Sequence, residues 1–351
     1  MNELISSKPL LAGADCDVLR GALAPAMRRR DLVIIAAGGL AFGIQPFSSL
    51  SQPSSRVWKM GFLAHGNEVF YQPLFDRLKE LGYEKGRNLI VERRYAEGHA
   101  DRFQQFAKEL VQQNVNIIIV VTTPAALAAK KETTTIPIVF PNAINPVETG
   151  VVASLSHPGC NVTGGAIPTA ELSAKRLELL KQMMPELSQG TVLWNEANPS
   201  VSLGWRDTQN AGRAMGIALD PYQVREPGDF GPAFAGLAQK RPQVIIVFQD
   251  ALTLQHRDEI IDFTVRERLP AMFTAKEWTD AGGLVSYGEN LSEMYRRGAY
   301  FVDRIFRGAD PADLPVEQPT KYDLMLNLKT AEAIGLTIPP QFLDRVDHLI
   351  D

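Results

Sequence analysis

"NIIIVVTTPAALAAKK" (residues 116–131) joins a continuous apolar run to a helix-forming run through two threonines and a proline. The apolar part, 116–121, is typical of a parallel strand that is buried on both faces. A threonine before the alanines predicts a helix N-cap, and Pro124 fits the first turn of a helix. The stretch therefore predicts a strand that leads directly into a helix, which is the building unit of a parallel α/β sheet.

The same alternation of strand and helix patterns occurs twice along the chain. Between predicted strands, apolar residues recur at helical spacing, as at Leu74, Leu78 and Leu81, and one helix is expected between 248 and 270. The predicted strands are 57–64, 88–96, 116–121, 136–140 and 162–167, then 191–195, 217–224, 244–248, 270–274 and 283–288. Strands that alternate with helices predict parallel sheets, so we expect an α/β protein with two doubly wound lobes.

The bulk composition is that of an ordinary globular protein. Hydrophobic residues make up 45% of the chain and the formal net charge is −4, so there is no basic excess to attract nucleic acid. About 300 residues beyond the N-terminal region are enough for two domains. We therefore expect no nucleic-acid partner. The expected partner is a small-molecule ligand, and we expect the protein to be a monomer.

The segment "MRRRDLVIIAAGGLAFG" (27–43) has the features of an export signal. The arginines at 28–30 precede an apolar run, and small residues follow it, as at a cleavage site. The apolar run is shorter than the roughly 20 residues of a membrane-spanning helix. A buried helix or strand of the folded protein is the alternative, although glycines within the run weaken a helix. We expect a leader over 1–51, with the signal around 27–51, a mature chain that begins near Gln52, and a periplasmic location.

Polar and aromatic residues follow the predicted strands, at the places where a ligand would meet them. In open α/β sheets, ligands bind outside the carboxyl ends of the strands. We therefore expect a small ligand in a cleft between the lobes. The candidate ligand-binding residues are His65, Gly66, Asn67, Phe70, Tyr95, Glu97, Thr122, Thr123, Pro124, Ala125, Asn142, Asn145, Asn195, Glu196, Gln249, Asp250, Glu277 and Trp278.

These candidates suit a ligand that carries a carboxylate. The helix start at Thr122 and Thr123 leaves backbone N–H groups unpaired, and these attract an anion, although a capped helix that binds nothing is the alternative. Acidic residues such as Glu97 and Glu277 can bind an ammonium group, or they can be ordinary surface charges. Trp278 can stack on a ring or fill the core of a lobe. We expect an amino acid or an aromatic acid as the ligand.

Sequence motifs for catalysis, nucleotides and metals are missing. No G-x-G-x-x-G follows a strand and no G-x-x-x-x-G-K-[ST] occurs, so no nucleotide cofactor is expected. The segment "GLVSYG" (283–288) lacks the first glycine of a nucleophile elbow. The five histidines are scattered, without the spacing of metal ligands. We therefore expect no catalytic residue, no cofactor and no metal.

Several segments resemble the substrate-binding proteins of ABC transporters, of the type 1 periplasmic binding protein fold, in the branch that includes tryptophan- and tyrosine-binding proteins. They are "MRRRDLVIIAAGG" (27–39), "MGFLAHGNEVFYQPLFDRLKELGYEKGRNLIVERRYAEG" (60–98), "VASLSHPGCNVTG" (152–164), "ELSAKRLELLKQMMPELS" (171–188), "EWTDAGGLVSYGEN" (277–290) and "YRRGAYFVDRIFRGADPADLPVEQPTKYDLMLNLKTAEAIGLTIPP" (295–340). Together they cover nearly all of the chain after the leader. The segment "DLPVEQPTKYDLMLNLKTA" within the last of them is the most specific.

The resemblance implies a clamp of two lobes that are joined by a three-crossover hinge and close on a ligand. It places the helix at 291–306 in the first lobe. The lobes then comprise 57–168 plus 289–314, and 169–288 plus 315–351. It also implies that the protein delivers its ligand to the permease of an ABC importer in the inner membrane, without catalysis.

An exported two-lobe α/β enzyme, such as a hydrolase or a racemase, is the alternative function. It would need an acid/base pair, for which Glu97 and His65 are the nearest candidates. A regulatory protein of the sugar-repressor type fits less well, because 1–56 shows no helix-turn-helix head. Turnover of the bound ligand would separate the enzyme from the binding protein.

Overall fold

The computed structural model describes residues 56–66 and 68–351. The predicted leader at 1–51 and the candidate residue Asn67 therefore lie outside the described residues. Helices and mostly parallel strands alternate along the chain, as the sequence predicts. Among the described residues, no helix combines the length and the apolar character needed to cross a membrane.

The strands and helices follow one another in two sets and a tail. The first set is β1 (Trp58–Ala64), α1 (Gln72–Glu80), β2 (Leu89–Tyr95), α2 (Arg102–Gln112), β3 (Ile117–Val120), α3 (Thr123–Glu132), β4 (Ile138–Ile144) and β5 (Val162–Ile167). The second set is α4 (Ala170–Met183), β6 (Gln189–Asn195), α5 (Pro199–Met215), β7 (Ala218–Val224), α6 (Phe230–Lys240), β8 (Ile245–Val247), α7 (Ala251–Gln255), α8 (Arg257–Arg266), β9 (Ala271–Phe273), α9 (Lys276–Asp280), β10 (Val285–Gly288) and α10 (Leu291–Phe306). The tail is β11 (Asp323–Asn327), α11 (Leu328–Ile334), α12 (Pro340–Leu343) and β12 (His348–Ile350).

The strands form two separate sheets. The first sheet has the order β2-β1-β3-β4-β5, and its strand pairs are parallel. The second sheet has the order β12-β11-β10-β9-β8-β6-β7, in which β10 and β11 are antiparallel and the other pairs are parallel. Parallel neighbours need crossover connections. Helices lie in most of these connections, whereas the one between β4 and β5 (145–161) contains no helix. Strands β3 and β8 are buried along their whole length, as their apolar runs predict.

The chain passes between the sheets three times, after β5, after β10 and before β11. Helix α10 follows the second crossing and packs against α1 and β4 of the first sheet. A glycine allows this close approach, because a Cβ at Gly298 would lie 2.9 Å from Cγ of Pro141. The two sheets are therefore joined by three crossings, as expected for a three-crossover connection.

The third crossing touches the first sheet before the tail joins the second. The backbone N–H of Glu317 donates to Gly164 O at 3.0 Å, and that of Ala166 donates to Glu317 O at 2.8 Å. Strands β11 and β12 then extend the second sheet. Residues near 317 therefore lie against β5, and the lobe boundaries given by the sequence stay a prediction.

The single helix expected between 248 and 270 is wrong, because two helices, α7 and α8, occupy this region. A capping box between Asp250 and Thr253 starts α7. His256 leaves helical geometry, with φ −99° and ψ 18°, and so it ends α7 and precedes α8. Its ring stacks on Phe230 with a centroid distance of 4.1 Å.

A bulge in β4 shapes the edge of the first sheet. The register of β4 against β5 shifts between Phe140 and Ala143, which leaves Asn142 in an irregular stretch. Opposite the bulge, Gly164 has φ 152°, and a Cβ there would collide with the carbonyl oxygen of Phe140. Bulges re-aim side chains, and here the bulge depends on a glycine in the neighbouring strand.

Replacing Gly164 by alanine tests this dependence. We expect Gly164→Ala to lower the free energy of unfolding by more than about 2 kcal/mol, because the methyl group displaces backbone in both strands. The matched control is Gly231→Ala, since a Cβ at Gly231 would meet nothing within 4 Å. Urea unfolding of both variants measures the difference. Equal stabilities of the two would contradict the proposed dependence.

Candidate functional site

A cavity with an empty volume of about 850 Å³, partly open to solvent, lies where the carboxyl ends of the strands in the two sheets face one another. The first sheet and the helices that pack on it contribute Tyr71, Val121, Thr122, Thr123, Asn142, Ile144, Ile167 and Tyr295. The second sheet, its helices and the crossings contribute Thr169, Leu172, Ser173, Arg176, Asn198, Ser200, Val201, Gly204, Phe248, Gln249, Asp250, Ala251, Leu254, Thr274 and Glu289.

Helix N-termini surround the cavity. Thr122 caps α3 by accepting from Ala125 N at 3.4 Å, and Asn198 caps α5 by accepting from Ser200 N at 3.2 Å. Thr122 has φ 111° and ψ 153°, a backbone conformation that costs a side-chain-bearing residue about 1–3 kcal/mol. Such strain persists only where the surrounding structure holds it. The cavity wall therefore has fixed N–H donors and a strained residue at the end of β3.

Arg176 brings a buried positive charge to the cavity. It projects from α4, and its Nε donates to Tyr287 O at 2.7 Å while Nη2 donates to Thr274 O at 3.3 Å. Burial lowers the pKa of Arg176 to about 10, and the negative charge of Glu289 opposes this shift. The guanidinium is therefore still protonated at neutral pH. Both of these partners are carbonyl oxygens, so they do not neutralise the charge.

Glu289 brings a carboxyl group of the opposite charge. It follows β10, is only 4% exposed, and its Oε2 has no hydrogen-bond partner in the described structure. Burial raises the pKa of Glu289, whereas the positive charge of Arg176 acts to lower it. A buried polar atom without a partner is costly, and a ligand donor would remove that cost.

Aromatic rings form another part of the wall. Tyr71 and Tyr295 meet edge to face, with their ring centroids 5.5 Å apart. Asn142 Nδ2 donates to the Tyr295 hydroxyl at 3.5 Å, so a residue of the bulge in β4 contacts this tyrosine. Phe248 completes the apolar surface from the second sheet. The cavity thus combines opposite charges with rings that can pack on a flat side chain.

Residues 63–350 match the family model of ABC transporter substrate binding proteins. The chain belongs to this family. The "Tyrosine-binding protein" of Clostridioides difficile (strain R20291) is 22% identical over 261 residues, which are 74% of this chain and 74% of that one. A conserved domain protein of Vibrio cholerae O1 biovar El Tor has a TM-score of 0.78 and 26% identity, over 84% of this chain and 100% of that one. An ABC domain of Streptococcus pneumoniae in complex with L-Trp has a TM-score of 0.77 and 21% identity, with the same coverage.

These likenesses confirm the predicted family and fold class. The ABC domain solved with L-Trp shares this fold, and so does a leucine binding protein LivK of Thermotoga maritima, with a TM-score of 0.54 and 15% identity over 79% of this chain and 87% of that one. The two parallel-dominated sheets and the connecting crossings are those expected for the type 1 periplasmic binding protein fold.

The structure brings some of the predicted ligand-binding residues together in the cavity and leaves others behind it. Those that line the cavity are Thr122, Thr123, Asn142, Gln249 and Asp250. Three more contact cavity residues from behind. Asn195 donates to Asp250 at 2.6 Å, Asn145 donates to Thr169 at 2.7 Å, and Trp278 donates to Gln249 at 2.7 Å.

The remaining candidates lie outside the cavity wall. Pro124 and Ala125 continue α3 behind its cap, and His65 and Gly66 lie against Gln255 of α7. Phe70 and Glu277 line a separate surface groove together with Arg257. Tyr95 packs near Phe62, Glu97 pairs with Arg102, and Glu196 pairs with Arg225. Ligand contact by these residues stays a prediction.

Sequence reasoning missed several cavity residues of this substrate-binding protein. The most important are Arg176 and Glu289. A signal for Arg176 was present, since it interrupts an otherwise apolar helical face that contains Leu172 and Leu180. A second signal was Asn198 before Pro199, which is a typical helix start. Glu289 follows a short strand and carries no comparable signal.

The buried carboxyl of Glu277 predicts a pH dependence of stability. Burial raises the pKa of Glu277 from 4.5 to about 7, and its Oε2 has no hydrogen-bond partner among the described residues. The protonated form is therefore favoured in the folded state, and this stability is lost as the pH rises from 4.5 through 7. The loss is roughly 2–3 kcal/mol.

We expect Glu277→Gln to remove this loss, so that the variant is more stable than the wild type at pH 8 and similar to it at pH 4.5. Thermal unfolding at a series of pH values measures the effect. The matched control is Glu97→Gln, because the Glu97 side chain is 74% exposed. An unchanged slope in the Glu277 variant would show that this carboxyl does not titrate as described.

Proposed function

We propose that the protein is the extracytoplasmic solute-binding component of an ABC importer. It holds a small carboxylate-bearing ligand, an amino acid or an aromatic acid, in the cavity between its sheets and delivers it unchanged to an inner-membrane permease. Within this class, an α-amino acid with an aromatic side chain fits the cavity best. It acts as a monomer and uses no cofactor.

The observation that carries this proposal is the pair of opposite charges at the cavity. The guanidinium of Arg176 is a charged donor for a carboxylate, and the unpartnered Oε2 of Glu289 is an acceptor for an ammonium group. An α-amino acid carries both groups. An aromatic acid without an amine would leave Glu289 unsatisfied, so the zwitterion is the better match.

The remaining wall supports an aromatic side chain. Tyr71, Tyr295 and Phe248 offer ring surfaces. The names of two relatives agree with this, since one is a tyrosine-binding protein and one was solved with L-Trp. We propose that Thr122, Thr123, Asn142, Gln249 and Asp250 also contact the ligand, as the sequence predicts.

Contact between the two lobes supports closure around the ligand. The Nε2 of Gln255, on α7, donates to His65 O after β1 at 3.0 Å. We propose lobes of 57–168 plus 289–314 and of 169–288 plus 315–351, which open and close at the three crossings. Export through the signal at 27–51 would place this clamp outside the cytoplasm.

Matched ligands test the proposal. We expect L-tyrosine or L-tryptophan to bind, and we expect removal of one charged group from L-tyrosine to weaken binding by about 10- to 100-fold. The comparison compounds are tyramine, which lacks the carboxylate, and 3-(4-hydroxyphenyl)propionate, which lacks the amine. Isothermal titration of the purified protein measures each affinity. Recovery of the ligand after incubation tests whether it is consumed, which would indicate an enzyme.

The variant Glu289→Gln tests whether Glu289 binds the ammonium group of the ligand. It should weaken L-tyrosine binding by about tenfold or more and leave the binding of 3-(4-hydroxyphenyl)propionate unchanged. Asp303→Asn makes the same carboxylate-to-amide change at a buried position of α10, where Asp303 contacts Tyr83 and Arg307, and should leave both affinities unchanged. Equal loss for both ligands in the Glu289 variant would contradict the assignment.

A further inference from the structure

Gln249 has one side of its amide fixed and the other side available to a ligand. It follows β8 and lines the cavity. Its Oε1 accepts a hydrogen bond from Trp278 Nε1 at 2.7 Å. Its Nε2 has no hydrogen-bond partner in the part of the chain that the structure describes. The orientation of this amide therefore decides whether the cavity meets a donor or an acceptor.

Trp278 fixes that orientation because an indole nitrogen can only donate. Its side chain is completely buried and stacks on Phe273, with a centroid distance of 4.9 Å and an interplanar angle of 14°. A Cβ at Gly283 would lie 2.8 Å from Trp278 O, so the segment after α9 closes tightly over this position. The ring cannot turn its N–H away without disturbing this packing.

Gln249 and Arg176 share an anchor at the end of β9. The backbone N–H of Gln249 donates to Thr274 Oγ1 at 3.2 Å, and Arg176 Nη2 donates to Thr274 O at 3.3 Å. Two side chains that donate into the cavity are thus held by one residue. A ligand group that accepts from both is an anionic oxygen pair.

We propose that Trp278 is a positioning residue that makes Gln249 present its NH₂ group to the ligand carboxylate, and so helps to select ligands that carry one. This inference rests on the function proposed above. Trp278 touches no ligand in this role. It acts through the polarity of the Gln249 amide. A binding protein for an amine alone would gain nothing from this arrangement.

The experiment compares L-tyrosine with tyramine in two variants of the purified protein. Gln249→Glu keeps the acceptor for the indole and places a carboxylate oxygen where the NH₂ group was. It should weaken L-tyrosine binding by at least about tenfold and leave tyramine binding equal or tighter. Trp278→Phe keeps an aromatic ring on Phe273 but removes the donor. It should weaken L-tyrosine binding by about threefold to tenfold and leave tyramine unchanged.

A double-mutant cycle separates positioning from packing. If Trp278 acts through the amide, Trp278→Phe costs no further L-tyrosine affinity once Gln249 is alanine. The proposal is overturned if Trp278→Phe lowers L-tyrosine affinity equally in the wild type and in Gln249→Ala. It is also overturned if Trp278→Phe weakens L-tyrosine and tyramine equally. The control is Trp194→Phe, because Trp194 is also buried and its Nε1 has no partner in the described structure. It should leave both affinities unchanged.

A readout without ligand keeps this inference separate from the proposed function. The chain has four tryptophans, so four indole N–H resonances are expected in a ¹⁵N correlation spectrum. The one that disappears in Trp278→Phe should shift in Gln249→Ala. If it does not shift, the hydrogen bond is absent and the inference fails. If it shifts while the wild type binds neither L-tyrosine nor L-tryptophan, the positioning holds and the proposed ligand class is wrong.

Discussion

The burial of the Arg176 guanidinium is the constraint on which the site depends. A charge removed from water needs partners, and Arg176 donates to the backbone carbonyls of Tyr287 and Thr274, at the ends of β10 and β9. These bonds fix α4 against the second sheet. They supply dipoles and no opposite charge. The positive charge of Arg176 is therefore not compensated by these bonds. At the same cavity, burial also disfavours the negative charge of Glu289.

The two charged residues, Arg176 and Glu289, lie near the crossings between the sheets. Arg176 lies on the helix that follows the first crossing, and Glu289 lies at the second crossing. Both charges are therefore close to the places where the chain passes between the sheets. The bulge at Asn142 and the glycine at 164 shape the adjoining edge of the first sheet. A ligand that pairs with Arg176 and Glu289 would lie against this edge, so binding and lobe contact are linked through the same short segments.

The fold could be read from the sequence because its signals are local. An apolar run such as 117–120 followed by a threonine cap predicts both a strand and its helix. The break at His256 could not be read, since no proline or glycine marks it in 250–260 and the ring on which His256 stacks, Phe230, is distant in sequence. The site was only partly predictable for the same reason. Strand ends gave Thr122 and Gln249, whereas Arg176 and Glu289 reach the cavity through tertiary packing that no local pattern encodes.

Trp278 illustrates how a residue predicted for the site can lie one contact away from the cavity wall. Its position after β9 suggested a ring that meets the ligand, but the side chain is completely buried and lies behind Gln249. The sequence identifies which loops approach the cavity, because strand order determines that. It does not identify whether a side chain reaches the cavity wall or lies behind it, because this follows from how Trp278 of α9 packs on Phe273. A buried donor at the back of a site still shapes recognition, since it decides which end of an amide a ligand meets.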